Sequence, residues 1–267
     1  MSHVSFSELK EWTTCPWKHK LNYIDKIKQF KGNEYTAFGT ALHTICEKLV
    51  QLDVSKSESN YDPKEDFQIE FLQNLQKIKN LVPDIEFNKK LITSMRSQAD
   101  HIIQYILPAL KSYFGKFKLV EVEEKLYEHI EDQNQKYKGF IDLVIYTPKD
   151  KKYHIIDWKT CSWGWDNRKR TEKMITYQLT YYKHFWCKKH NKDYGDVLTH
   201  FALLKRTAKK NNVEIFKVSN GTKKIENALK LLNKALYNIN KKNHLKNRLS
   251  CHGRYGMCEY YKSEYCK

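Results

Sequence analysis

The run Lys138-Gly139-Phe140-Ile141-Asp142-Leu143-Val144-Ile145-Tyr146 and, after a polar turn, Tyr153-His154-Ile155-Ile156-Asp157-Trp158-Lys159-Thr160 decide how this chain is read. Both are rich in Val, Ile and aromatic residues, which suit a half-buried pleated strand. Each carries one carboxylate among apolar neighbours, a costly placement unless something compensates the charge. Two such carboxylates on neighbouring strands would also repel. A divalent cation between them removes both problems, and hard oxygen ligands suit Mg²⁺ or Mn²⁺. Lys159 lies two residues after Asp157, so the two side chains share one face of the strand. There an ammonium can orient a water or stabilise charge on a phosphate oxygen. Asp-x-Lys by itself is equally what a strand-end salt bridge looks like.

Working outward, Lys118–His129 joins these two strands in a three-stranded meander, with polar turns at 131–136 and 147–152. Upstream the pattern is helical. Ser5 and Glu8 form a capping box that opens a helix through Trp12, and Pro16 starts a second helix to about Tyr23. Leu42, Ile45 and Leu49 mark one face of a helix over roughly Thr36–Leu52, and residues 53–61 read as a loop. Further helices are expected from Asp62 to about Lys79 and from about Phe87 to Tyr113. Downstream come a helix near Thr171–His190, strands Val197–Leu204 and Val213–Val218, and a Lys-rich helix Thr222–Asn240. There is no internal repeat. The expected fold is α/β: a central mixed sheet flanked by helices, with an N-terminal helical part and a cysteine-rich tail. One domain is expected, divided as 1–117 mainly helical, 118–220 the catalytic core, and 221–267 helix and tail.

The apolar share of 40% is enough for a real core. Forty-eight basic against 31 acidic residues leave a formal charge of +17, which favours a polyanionic partner through counterion release. No segment approaches the run of about 18 apolar residues that spans a bilayer, and the N-terminus lacks the basic and apolar regions of a secretory signal. A cytoplasmic protein is expected, and one encoded by a phage and acting in its host fits equally. Its seven cysteines are then thiols or metal ligands rather than disulfides.

Taken together, these residues resemble the PD-(D/E)XK nuclease superfamily, in particular its RecB-type exonuclease branch. Gly139-Phe140-Ile141-Asp142 looks like the family's G-x-x-D strand, and Asp157-Trp158-Lys159 like its (D/E)-x-K with Asp in place of Glu. Gln178 and Tyr182 match the branch's Q-x-x-x-Y, four apart on one helix face. Gly39-Thr40-Ala41-Leu42-His43 resembles the helix whose His completes the metal site. The likeness runs from about Ser5 to Tyr182. It implies a restriction-endonuclease-like core and Mg²⁺- or Mn²⁺-dependent hydrolysis of DNA, with exonuclease favoured. The metal would lie between His43, Asp142, Asp157 and the Trp158 carbonyl. Lys159 would assist the chemistry, and Gln178 and Tyr182 would position the strand and the lysine. A lone His on an apolar helix face is otherwise a core residue.

One early and three late cysteines, Cys15 with Cys251, Cys258 and Cys266, resemble the iron–sulfur members of this branch, both CRISPR-associated and helicase-linked. Those members hold a four-iron four-sulfur cluster that clasps the chain ends. The gaps here are wider than the family's usual ones. Zinc on the same sulfurs, His252 as an alternative ligand, and plain thiols in an aromatic tail (Tyr255, Tyr260, Tyr261, Tyr265) stay open. Cys46, Cys161 and Cys187 read as structural. Trp163 and Trp165 with Arg168, Lys169 and Arg170 offer stacking platforms beside phosphate-binding charge, suited to single-stranded DNA or DNA ends. They equally suit a loop with its tryptophans turned inward. Lys205, Arg206, Lys209 and Lys210 form a second basic cluster. Glu124 either reaches the site or pairs with a lysine. No Walker A loop is present, so unwinding would need a partner such as a helicase or recombination protein. The competing readings are a non-catalytic nucleic-acid-binding module on the same fold, a structure-specific endonuclease, and a zinc-ribbon-like binding protein built on the tail.

Overall fold

In chain order the elements are β1 (His3–Ser5), α1 (Phe6–Thr14), α2 (Pro16–His19), a π-helical turn (Lys20–Ile24), α3 (Glu34–Ser55), α4 (Pro63–Leu81), α5 (Lys89–Phe114), β2 (Lys118–His129), β3 (Lys136–Thr147), β4 (Lys152–Cys161), α6 (Asn167–Thr171), α7 (Lys173–His190), β5 (Val197–Lys205), β6 (Val213–Val218), α8 (Thr222–Asn240), β7 (His252–Gly253) and β8 (Gly256–Met257). The structure is a computed structural model that describes residues 3–27, 30–55, 60–253 and 256–267. Tyr255 lies outside the described residues.

The chain forms two compact units. The larger comprises Lys31–Lys125 and Phe140–Asn220. In it β3, β4, β5 and β6 are hydrogen-bonded in that order, and β2 pairs with β3. β3 and β4 are antiparallel, as are β5 and β6, whereas β4 and β5 run parallel from Tyr153↔Val197 to Cys161↔Lys205. A parallel neighbour needs a crossover, and α7 supplies it. One face of the sheet (Leu143, Ile145, Ile156, Trp158, Ala202, Leu204) packs on α3, α4 and α5, where Phe38, Phe67 and Phe71 form an aromatic cluster. α7 covers the other face, with Trp186 5.1 Å from the Tyr153 ring. α3 begins where Asn33 and Thr36 cap one another, and α5 stops at Gly115, whose φ of 69° suits a residue without Cβ.

The smaller unit comprises Met1–Phe30, Leu126–Gly139 and Gly221–Lys267. Here β1 pairs in parallel with the first residues of β3, His3↔Lys136 to Ser5↔Lys138. α8 buries Ile225, Ala228, Leu232, Leu236 and Ile239, an apolar stripe at helical spacing. The tail docks on the N-terminal helices through Leu21, Tyr260 and Cys266, packed against Trp17, Ile27 and Tyr265. Trp17 Nε1 donates to Tyr265 O at 2.9 Å, and the Asn247 amide donates to Thr14 O at 2.8 Å.

The mixed α/β architecture expected from the sequence is the one found. There are three local departures. Ser5 caps α1 by accepting from the Glu8 N–H, but the Glu8 carboxylate, nearly buried, goes to His19 Nε2 at 3.0 Å instead of back to Ser5. α3 runs on to Ser55, and Asp53 in its last turn pairs with Lys111, 2.5 Å away. The helix expected over about Thr171–His190 is α7, and a short helix not expected from the sequence, α6 capped by Asp166, precedes it, with the extended Glu172 between them.

Candidate active site

The β3–β4 ladder runs from Thr147↔Lys152 to Leu143↔Ile156. Asp142 and Asp157 are the next residues of the two strands beyond that last pair. Alternation along each strand turns both carboxylates away from the face of Leu143 and Ile156. There the Trp158 N–H donates to Asp142 Oδ2 at 2.7 Å, a side chain taking the place of a ladder carbonyl. Both aspartates are buried, at 8% and 1% exposure. Burial pushes Asp142 up to about 7, against the pull of Lys159 and of the Trp158 N–H. Burial likewise pushes Asp157 up to about 6, against Lys159 and reinforced by Asp142. The Lys159 ammonium lies 2.5 Å from Asp157 Oδ2, and that buried oxygen has no well-directed hydrogen bond.

His43, on α3, brings Nδ1 to 3.7 Å from Asp142 Oδ2, too far for a hydrogen bond. Desolvation and then Lys159 lower it to about 4, so its ring is neutral at pH 7 and keeps a nitrogen lone pair. Gln178 Nε2 donates to Tyr182 Oη at 3.1 Å on α7. Burial raises the Tyr182 hydroxyl well above its ordinary value, and the Asp157 charge adds to this. His43, Asp142, Asp157, Lys159 and Tyr182 therefore feel one another electrostatically.

Two acids went unnoticed in the sequence. Glu47 is one turn beyond His43, and burial, then the charge and hydrogen bond of Glu123, then Asp142, push it up to about 8. Glu123 has a φ of 48°, a left-handed backbone conformation that interrupts the regular extended chain of β2. The i, i+4 spacing from His43 to Glu47 was the available signal; the backbone turn at Glu123 had none. The adjacent Glu124 pairs with Lys189 at 2.8 Å, His190 at 2.5 Å and Trp186 Nε1 at 2.7 Å, the lysine pairing that was one of its two readings.

Among the described residues no three His, Cys, Asp or Glu side chains stand close enough together to form a metal cluster. The donor chemistry nonetheless fits a hard dication: buried carboxylates held near neutral pKa by desolvation and mutual repulsion, beside a neutral imidazole.

The loop after β4 divides its expected contacts. Trp163 is 72% exposed and Arg168 is exposed. Trp165 is only 9% exposed and packs edge-on against Phe201 at 5.1 Å, so it cannot serve as a stacking platform. Lys169 lies over the Trp165 ring, and Arg170 is tied to Glu214 and to Trp165 O. In the smaller unit Cys15, Cys251, Cys258 and Cys266 line one cavity of about 240 Å³, and His252 is not among its lining residues. Cys15 Sγ accepts from the Asn247 N–H at 3.4 Å, and the Cys258 N–H donates to Cys251 O at 2.8 Å. The four cysteines line this one cavity without standing close enough together, among the described residues, to form a metal cluster. Cys46 and Cys187 are buried, and Cys161 is half-buried.

No curated protein matches this chain. A solved Eubacterium rectale protein, described as "Putative exonuclease", superposes with a TM-score of 0.57 at 14% identity, over 95% of this chain and 88% of the other. Another, SSO0001, gives a TM-score of 0.33 at 13% identity over 78% of this chain and 88% of its own. The profile of the PD-(D/E)XK nuclease superfamily matches residues 3–266. The chain therefore belongs to the PD-(D/E)XK nuclease superfamily.

Proposed function

We propose that this nuclease is a Mg²⁺- or Mn²⁺-dependent deoxyribonuclease, acting as an exonuclease on single strands or DNA ends. The observation that carries the reading is the pair of buried carboxylates Asp142 and Asp157 acting on one another, with the Lys159 ammonium against Asp157. Asp142, Asp157 and His43, with the Trp158 carbonyl, would hold the ion, with the Glu123 and Glu47 carboxyl groups beside them. When bound, the ion neutralises charge on the phosphate and lowers the pKa of water. Lys159, released from Asp157, orients the attacking water or receives charge on a non-bridging oxygen. Gln178 and Tyr182 keep the lysine and the strand in place. Trp163 and Arg168 take an adjoining nucleotide by stacking and charge.

The exonuclease preference is supported by the resemblance to the RecB-type branch and by the name of the Eubacterium rectale protein. Among the described residues no helix is long and apolar enough to cross a membrane. The reading carries with it a cytoplasmic site of action, in a cell or a phage-infected host, in DNA repair, recombination or phage DNA metabolism. A helicase or recombination protein would supply unwinding. The four-cysteine cavity is assigned to a four-iron four-sulfur cluster, with zinc as the alternative occupant.

The deciding experiment digests end-labelled linear DNA, single- and double-stranded, beside closed circular DNA, with Mg²⁺ or EDTA. Degradation of linear DNA alone, abolished by EDTA, supports the reading. Cleavage of circles makes it an endonuclease, and binding without cleavage makes it a non-catalytic module.

A further inference from the structure

Arg206, just beyond β5, is a half-buried cation whose contacts among the described residues are neutral. Its backbone N–H donates to Cys161 O at 2.9 Å, which fixes it two residues past Lys159, roughly 7 Å along β4. Its guanidinium donates to Gln98 Oε1 at 3.1 Å and to Ser162 Oγ at 3.1 Å, and its central carbon lies 4.9 Å from the Tyr35 ring centroid. Burial lowers its pKa, with only Tyr35 and the Cys161 thiol pushing the other way. That thiol is itself raised to about 11 and so is uncharged at neutral pH. Arg170 and Lys205 share Glu214, whereas among the described residues no carboxylate pairs with Arg206.

A desolvated cation without a counter-charge is costly in the isolated protein, and a ligand bearing an anion removes the cost. A guanidinium has five N–H donors in a rigid fork, so the bonds to Gln98 and Ser162 hold it still and leave donors to spare. Tyr35 is 49% exposed, so the cradle opens to solvent on that side. At its base Gly39 approaches β4 closely: a Cβ there would stand 3.3 Å from Thr160 Oγ1.

We propose that Arg206, seated against Tyr35 and Ser162, is a phosphate-binding site for the substrate strand, one or two nucleotides along from the phosphodiester that Lys159 faces. This rests on the nuclease reading. The ligand is a phosphate group, either an internal phosphodiester or a terminal phosphomonoester. By holding it, Arg206 sets which bond of the strand reaches Asp142 and Asp157.

The test uses the full chain and the variants Arg206→Gln, Arg206→Lys and Tyr35→Leu. Binding of a fluorescent single-stranded oligonucleotide is measured in EDTA over a salt series, and cleavage with Mg²⁺. Arg206→Gln is expected to bind about ten-fold more weakly or worse, with the log–log salt slope smaller by about one. KM rises while kcat stays within a few-fold. Arg206→Lys keeps the slope but loses affinity, because it lacks the fork. A loss confined to oligonucleotides with a phosphorylated end identifies a terminal phosphate; an equal loss with hydroxyl ends identifies an internal one. Unchanged affinity and slope in folded Arg206→Gln overturn the proposal. If Arg206→Gln does not fold, wild-type affinity in both Arg206→Lys and Tyr35→Leu overturns it. A wild-type protein that binds but never cleaves defeats the nuclease reading, and the binding comparison still decides the phosphate site.

Discussion

The Lys159 ammonium rests 2.5 Å from Asp157 Oδ2, so the group expected to assist phosphodiester hydrolysis is paired with one of the carboxylates expected to hold the metal. The two roles compete for one oxygen, and a dication would free the lysine for the phosphate.

Lys159→Ala is therefore expected to retain DNA binding and lose cleavage by roughly a thousand-fold, the scale of removing one charge-stabilising group. Single-turnover cleavage and binding measured on the same folded sample check this. Near-normal turnover would refute the role.

Metal-free stability should fall as pH rises. Asp157, Asp142 and Glu47 are raised to about 6, 7 and 8 when folded. A raised carboxylate stabilises fully below its ordinary pKa and loses that contribution as pH passes its folded value. His43 is lowered to about 4 and works in the opposite sense, but only below its ordinary 6.5. The decline is thus read above about pH 6.5, and amounts to a few kcal/mol at most. Melting temperature in EDTA should drop over this range, recover with Mg²⁺, and flatten in Asp142→Asn/Glu47→Gln, which removes the two acids that titrate above pH 6.5. A flat wild-type curve would contradict the buried carboxylate pair.

The neighbours Glu123 and Glu124 should separate function from stability. Glu123→Gln is expected to weaken Mg²⁺ affinity about ten- to a hundred-fold at nearly unchanged melting temperature. Glu124→Gln, which strips a buried partner from Lys189 and His190, should cost about 1–3 kcal/mol of stability and leave Mg²⁺ affinity intact. Metal titrations of activity alongside thermal melts would expose the reverse pattern.

Trp163→Ala should weaken single-strand binding about ten-fold, the loss of one stacking platform, without changing stability. Trp165→Ala should destabilise by about 3–5 kcal/mol, because it empties core space against Phe201. Equal binding losses from both variants, at wild-type stability, would refute the division.

Cysteine substitutions report on the smaller unit. Protein purified without oxygen should carry iron and sulfide, or zinc, and Cys258→Ser should lose that metal together with several degrees of melting temperature. Cys46→Ser, whose thiol is enclosed in the core of the larger unit, should keep it. Full metal content in Cys258→Ser would remove that cysteine from the ligand set.

Strands β3 and β4, and the aspartates and lysine they carry, were legible in the sequence because strand periodicity is local: two residues fix a shared face. Helices α4, α5 and α8 were legible through caps and apolar spacing. What depends on distant contacts was not. Glu123, not Glu124, acts on Glu47, Asp142 and His43, and its φ of 48° departs from the extended backbone that alternation assumes. Trp165, unlike Trp163, is drawn inward because Phe201 and Phe216 offer apolar surface on strands far along the chain. Local spacing sets which side chains share a face. Only the packed tertiary structure decides which of them are desolvated together, and desolvation is what brings these carboxylates near neutral pKa.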